Sequence, residues 1–270
     1  MAELRRRRSV SQALLLELLI AQLERWHAGR ARPPAPSSTG QNGTGHNGTD
    51  APSLAGCDVL DVGGGTGGLA SALAGLGYRV TVVDPSPDAL ASLERRTAEA
   101  GLGDRLRGVQ GDASDLPAIV GPSGTDVVVC HRVLEVVESP GDALAAMAAV
   151  LRPGGALSLV VSQRHSAVLS QALAGHIAAA RRTLADPDRF EHDQVVTLVT
   201  TAGFTVVASH GLGAVADHVP EAVVEAEAGA YEELWQLERD IADDPAFRAL
   251  APLVHVFACL PDDRPADLAG

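Results

Sequence analysis

The stretch Val59-Leu60-Asp61-Val62-Gly63-Gly64-Gly65-Thr66-Gly67-Gly68-Leu69 narrows the possible folds of this chain more than any other. An apolar run ends in an acid, then in a cluster of glycines, and then enters a stretch with helical spacing. Glycine accepts positive φ and carries no Cβ, so the backbone can turn sharply from strand to helix and leave amide N–H groups bare at the helix start. Such a turn suits a nucleotide-like ligand.

From residue 57 strand-like runs at 57–61, 79–84, 105–110, 125–130 and 155–162 alternate with helical patterns at 67–76, 87–100 and 141–151. The alternation predicts an α/β fold, a doubly wound, Rossmann-like sheet of seven mostly parallel strands with helices on both faces. Leu151-Arg152-Pro153-Gly154-Gly155 should end a helix and turn the chain into the fifth strand. Helical insertions are expected at 166–184, 192–202 and 221–240, around the last two strands at 204–209 and 253–260. This domain is set at 56–265. Ahead of it, apolar residues recur at helical spacing through Ala13, Leu16, Ile20, Leu23 and Trp26, so residues 1–32 read as a basic, amphipathic helix with one buried face. Residues 33–55, rich in Pro, Gly, Ser and Asn, read as a flexible linker.

Composition excludes several function classes. Residues 1–32 hold seven arginines against three acids, while residues 51–270 hold fourteen against thirty. A body this acidic repels polyphosphate, which argues against tight, nonspecific nucleic-acid binding. Arg5 to Arg8 ahead of Leu14, Leu15 and Leu16 mimic a signal peptide, but Glu17 splits the apolar region and no small-residue cleavage site follows. No apolar stretch reaches the roughly 20 residues needed to span a bilayer, so no membrane partner is expected. Cys57, Cys130 and Cys259 are scattered and odd in number, which predicts neither a disulfide scaffold nor a metal site and fits a cytoplasmic location.

In an open α/β sheet, ligands collect beyond the carboxyl ends of the strands. The glycines alone are ambiguous, because Gly63-x-Gly65-x-x-Gly68 with Asp84 about 20 residues further on also fits an NAD-type dinucleotide fingerprint. Asp61, before the first glycine, and Asp112, after the third strand, shift the balance to S-adenosylmethionine, whose charged amino-acid end needs partners of its own. The cofactor-binding candidates are Asp61, Gly63, Gly64, Gly65, Gly67, Asp84, Pro85, Asp112, Ala113, Cys130 and His131. Asp84 can accept from both ribose hydroxyls. Asp112 can accept from the adenine amino group, or cap a helix within Asp112-Ala113-Ser114-Asp115. His131 and His165 are the candidate catalytic residues, for positioning or as a base, although a histidine at a strand end also serves as a hydrogen-bonded structural group. Arg132 and Arg164 could hold a substrate carboxylate with their planar forks.

The ordered set Val-Leu-Asp-Val-Gly-Gly-Gly-Thr-Gly, Val-Val-Asp84, Gly-Asp112-Ala, Cys130-His131-Arg-Val-Leu-Glu135 and Leu-Arg-Pro-Gly-Gly155 resembles class I S-adenosylmethionine-dependent methyltransferases. Within them the chain looks most like the family that methylates 5-carboxymethoxyuridine at the tRNA wobble position. That likeness adds Gly155-Ala-Leu-Ser158-Leu, His165, Thr183-Leu184, Ala202-Gly203-Phe204, Gly211, Asp217, Tyr231-Glu-Glu-Leu-x-x-Leu-Glu238 and His255-Val256. Two departures stand out: where the family tends to carry arginines, this chain has Gly213 and Phe190. The resemblance therefore implies a methyltransferase acting on a carboxylate or hydroxyl of a small metabolite or an RNA nucleoside. tRNA is a possible but not favoured partner, and a non-catalytic, S-adenosylmethionine-binding regulatory protein is the alternative from another class.

Overall fold

The computed structural model describes residues 9–30, 56–186 and 189–262; the linker expected at 33–55 and the Arg5–Arg8 run lie outside them. Strands β1 (Asp58–Val62), β2 (Arg79–Asp84), β3 (Leu106–Gln110), β4 (Thr125–His131), β5 (Leu151–Ser162), β6 (Thr205–Leu212) and β7 (Leu253–Cys259) form one sheet in the order β3-β2-β1-β4-β5-β7-β6. The first five pair in parallel, and β7 inserts antiparallel between β5 and β6. Strand order reverses between β1 and β4, and that is where an α/β sheet opens a crevice at its carboxyl ends. The central strands carry unbroken β-branched runs, Val82-Val83 and Val127-Val128-Val129, all buried. Such runs belong to parallel strands covered on both faces.

Helices α1 (Val10–Arg30), α2 (Gly68–Gly75) and α3 (Pro87–Glu99) cover one face. On the other lie α4 (Leu116–Val120), α5 (Pro140–Val150) and α8 (His192–Thr201). The α3 and α5 starts are written in the sequence: Pro87 and Pro140 occupy first-turn positions, and the Ser86 and Ser139 hydroxyls accept from the amides of Ala89 and Asp142. The remaining helices are α6 (Arg164–Leu173), α7 (Ile177–Leu184), α9 (Glu221–Ala226), α10 (Ala230–Ile241) and α11 (Pro245–Leu250).

Several expectations are corrected. The stretches at 166–184 and 221–240 are each two helices, divided near Gly175 and Gly229. α4 and α11 span one to two turns, too short for a periodic signal. The segment Leu151–Gly155 is no separate turn: Leu151 already pairs with Thr125, and the register slips before Val127, so the segment is a bulge within β5. Helix α1 docks against that bulge, Trp26 Nε1 donating to the Gly154 carbonyl at 2.9 Å. Its buried surface is wider than one face, with Leu14, Leu19 and Leu23 fully buried and Ile20 only partly so, because α1 is wedged between the sheet and α10. Among the described residues no helix is long and apolar enough to cross a membrane.

Candidate cofactor and acceptor site

The glycine turn joins β1 to α2 and is closed by close packing. A Cβ on Gly67, whose φ is 74°, would collide with Leu93 Cδ1 of α3. A Cβ on Gly64 would meet Asp61 Oδ2 at 2.5 Å, so the Asp61 carboxylate lies directly beneath the turn. There it is buried, and its Oδ2 has no hydrogen-bond donor among the described residues. Burial, and next the neighbouring Asp84 charge, push its pKa up to about 7.

Asp84 ends β2 beside the turn. Its Oδ2 accepts from the Gly65 amide at 2.9 Å and its Oδ1 from the Ser86 amide at 2.9 Å. The two bonds fix the carboxylate and leave each oxygen a lone pair for a further donor. Gly63 donates its amide to the Val83 carbonyl at 2.7 Å, which locks the first glycine to the end of β2.

Beyond these strand ends opens a cavity of about 600 Å³, lined by Gly63, Asp84, Pro85, Asp112, Ala113 and Arg132, with Val133, Val137 and Ala143 as its apolar wall. Its size is that of a pocket for a single small ligand. Asp112 lines the cavity and also builds a local turn: its Oδ1 accepts from the Ser114 amide at 2.7 Å and the Ser114 hydroxyl at 2.6 Å. Those bonds hold its pKa below the ordinary carboxylate value. The residue at the N-cap position of α4 is Asp115, not Asp112. Arg132 reaches the cavity from a left-handed conformation, φ 61°, that a non-glycine residue seldom adopts.

The other candidates are dispersed. The Cys130 side chain is buried in the core, and burial raises its pKa far out of the physiological range. His131 ends β4; because Val62 pairs with Cys130, His131 stands level with Gly63 on the adjacent strand. Its Nε2 lies 2.9 Å from Ser158 Oγ, and burial pushes its pKa down to about 3. Arg164 and His165 sit together at the end of β5, away from the cavity. Arg164 pairs with Glu191 and donates to the Asp186 carbonyl, and His165 Nε2 is 3.3 Å from the same Glu191. Arg164 is thereby committed to holding the start of α8, with His165 half exposed beside it. At the two positions where the resemblance led arginine to be expected, Gly213 has φ 81° and a Cβ there would meet Asp217, while Phe190 is buried in the core. Neither position has room for an arginine reaching solvent.

Residue-by-residue reading had no means of finding Ser158, His210 or Glu238. Glu238 is fully buried and its carboxylate accepts from the amides of Gly213, Val215 and Ala216, at 3.0, 2.5 and 2.6 Å, organising the loop after β6. Only the resemblance to a family flagged it, as it did Ser158.

The residues fit S-adenosylmethionine: a side-chain-free turn, a fixed carboxylate at the next strand end, a third carboxylate on the cavity wall and an unpartnered buried acid below. Comparison with known proteins agrees. A family model described as a methyltransferase domain matches residues 60–159. The tRNA 5-carboxymethoxyuridine methyltransferase of Escherichia coli K12 is 27% identical over 214 residues, 76% of this chain and 81% of that protein. A ubiquinone biosynthesis O-methyltransferase of Burkholderia orbicola is 39% identical over 102 residues, 38% of this chain and 43% of that protein. Among solved structures, a chain of the complex between the Haloferax volcanii Trm112 methyltransferase activator and a methyltransferase superposes with a TM-score of 0.56 at 20% identity, over 94% of this chain and 97% of that one. Sheet order, glycine turn and sequence kinship converge on an S-adenosylmethionine-dependent methyltransferase whose methyltransferase domain matches at residues 60–159.

Proposed function

We propose that this methyltransferase acts in the cytoplasm on an oxygen atom of a small molecule, a hydroxyl or carboxylate of a metabolite or free nucleoside. Asp84 holds the ribose hydroxyls, Asp112 the adenine amino group, and the amides around Gly65 the amino-acid end of the cofactor. Bound S-adenosylmethionine supplies an activated methyl group on a sulfonium. The protein's tasks are then orientation and exclusion of water, because an in-line approach at contact distance accounts for most of the acceleration such a transfer needs. The apolar wall of Val133, Val137 and Ala143 excludes water on one side, and Arg132 orients an anionic or polar acceptor at the rim.

The observation that carries the small-molecule reading is electrostatic: thirty acids against fourteen arginines in residues 51–270. A tRNA acceptor is the second reading, favoured by the 27% identity to the E. coli tRNA enzyme over 76% of the chain. Incubating the protein with methyl-labelled S-adenosylmethionine and, in parallel, total tRNA and a deproteinised metabolite extract separates the two. Label is expected in the metabolite fraction; label in tRNA alone reverses the assignment.

A further inference from the structure

A row of polar side chains crosses the sheet from the end of β4 to the protein surface. His131 Nε2 is 2.9 Å from Ser158 Oγ on β5, and Ser158 Oγ is 3.0 Å from His255 Nε2 on β7. His255 Nδ1 is 3.1 Å from His210 Nδ1 on β6, and His210 Nε2 is 3.4 Å from Oδ1 of Asp243, an exposed carboxylate. The register places the row: His131 and His255 both pair with Val160, and His210 pairs with His255. Ser158, two residues before Val160, shares its face. The His210 and His255 rings are 5.3 Å apart at their centroids and 16° apart in plane. That separation is close to the Nδ1–Nδ1 distance plus two ring radii, so the rings meet edge to edge as an N–H···N bond requires. Ser158 and His255 are wholly buried, and α1 packs over β6 and β7 on this part of the sheet.

Each bond has one donor, so the position of one proton sets the rest. With His131 protonated at Nε2, Ser158 accepts from it and donates to His255 Nε2, and His255 donates from Nδ1 to His210 Nδ1, which leaves the His210 proton on Nε2, 3.4 Å from Asp243 Oδ1. What is left at the other end is His131 Nδ1, a lone pair without a partner among the described residues, beside Arg132 of the cavity rim and level with Gly63.

We propose that His131, Ser158, His255, His210 and Asp243 form a proton relay, with His131 Nδ1 as the base, and that the acceptor is a hydroxyl that sheds a proton on methylation rather than a carboxylate. This rests on the reading of oxygen methylation of a small molecule and narrows it. As the acceptor oxygen bonds the methyl carbon, the S–C electron pair stays on sulfur, which becomes neutral, and the hydroxyl proton passes to His131 Nδ1. The Nε2 proton of His131 moves to Ser158 Oγ, that of Ser158 to His255 Nε2, that of His255 from Nδ1 to His210 Nδ1, and that of His210 to the Asp243 carboxylate and then water. No imidazolium has to persist inside the sheet. Burial disfavours a charged ring at His131 and His255, and at His210 too, where Asp243 pulls the other way and Arg25 and Arg248 add to the burial effect. A proton taken at His131 is accordingly handed on.

Two measurements on the full chain test this. Nitrogen-15 NMR of histidine-labelled protein saturated with S-adenosylhomocysteine should find His131 and His210 protonated at Nε2 and His255 at Nδ1, and Asp243→Asn should scramble the His131 tautomer. With labelled S-adenosylmethionine and the metabolite extract, Ser158→Ala should lower the limiting rate about ten- to hundredfold, the range for one acid–base contact, without changing KM for S-adenosylmethionine. Ser158→Thr should restore the rate. The incorporated label should resist alkali, as an ether does. Release of the label as methanol marks a methyl ester and overturns the proposal, as does a proton on His131 Nδ1 or an undiminished Ser158→Ala rate. Label confined to tRNA overturns the small-molecule reading beneath it, whereas the histidine tautomers decide for or against the relay whichever fraction takes up the label.

Discussion

The two ends of strand β1 carry the same side chain under opposite conditions. At the amino end Asp58 accepts from Arg79 at 2.8 Å and Arg152 at 3.1 Å, Arg152 also reaches Asp126 at 2.7 Å, and these cations hold the Asp58 pKa below its ordinary value. At the carboxyl end Asp61 is buried without a cation, its pKa raised to about 7, and Asp84 is held by backbone amides alone among the described residues. Acids at one rim close a structural network. At the other rim Asp84 lines the candidate cofactor cavity and Asp61 lies buried beneath the glycine turn, where the fold bears the electrostatic strain of keeping it.

The largest way to break this contrast is Asp61→Asn. A folded-state pKa of about 7 against 3.8 unfolded means that the native state binds more protons in between, so stability falls as pH rises from about 4 to about 7, by at most about 4 kcal/mol. His131, at about 3 against 6.5, has the opposite sign: the native state binds fewer protons, and stability rises with pH between those values. In the wild type the two effects oppose each other. The Asn variant keeps only the histidine effect, so urea denaturation should show its stability climbing from pH 4.5 to 6.5 and exceeding the wild type at pH 8. Parallel pH profiles would mean that Asp61 is not the strained acid described here.

Asp84→Ala comes next. It removes the proposed ribose acceptor and the anchor of the Gly65 amide together, and S-adenosylhomocysteine affinity should fall about 100-fold, about 3 kcal/mol. Calorimetric titration measures it; unchanged affinity would move the cofactor elsewhere. On the opposite rim Arg152→Ala should cost about 1 kcal/mol of stability, as befits a partly exposed ion-pair network, and leave affinity untouched. A loss of affinity there would show that the rims are coupled.

The cofactor side of this site was legible because it is built from local sequence. A glycine turn, an acid closing a valine strand and a serine–proline helix start each act within a few residues of themselves, as Asp84 does through Ser86 and Gly65. The proposed relay was not legible residue by residue, because its parts meet only through sheet register. His131, Ser158, His255 and His210 lie on four strands, and no periodicity along the chain joins them; β7 inserting antiparallel between β5 and β6 does. His165 and Arg164 show the converse. They stand at a strand end, where position alone made them candidates, yet Glu191, contributed from the start of α8, engages both.

The smallest effect concerns Arg132, where the backbone itself marks the open rim. A left-handed conformation at a non-glycine residue costs about 1 to 2 kcal/mol, while glycine loses about 0.5 to 1 kcal/mol in chain entropy, so Arg132→Gly should raise stability by about 0.5 to 1 kcal/mol. Arg132→Ala loses the same guanidinium but keeps the strained φ, and should be about 1 kcal/mol less stable than the glycine variant. Thermal midpoints of the two isolate the strain from the side chain. If they coincide, the turn after β4 relaxes without help, and Arg132 is held toward the cavity by its surroundings rather than by a conformation that the fold enforces. If they differ as expected, the chain maintains a strained arginine beside His131 and the cavity, which is where strain belongs when it serves to aim a group at a ligand.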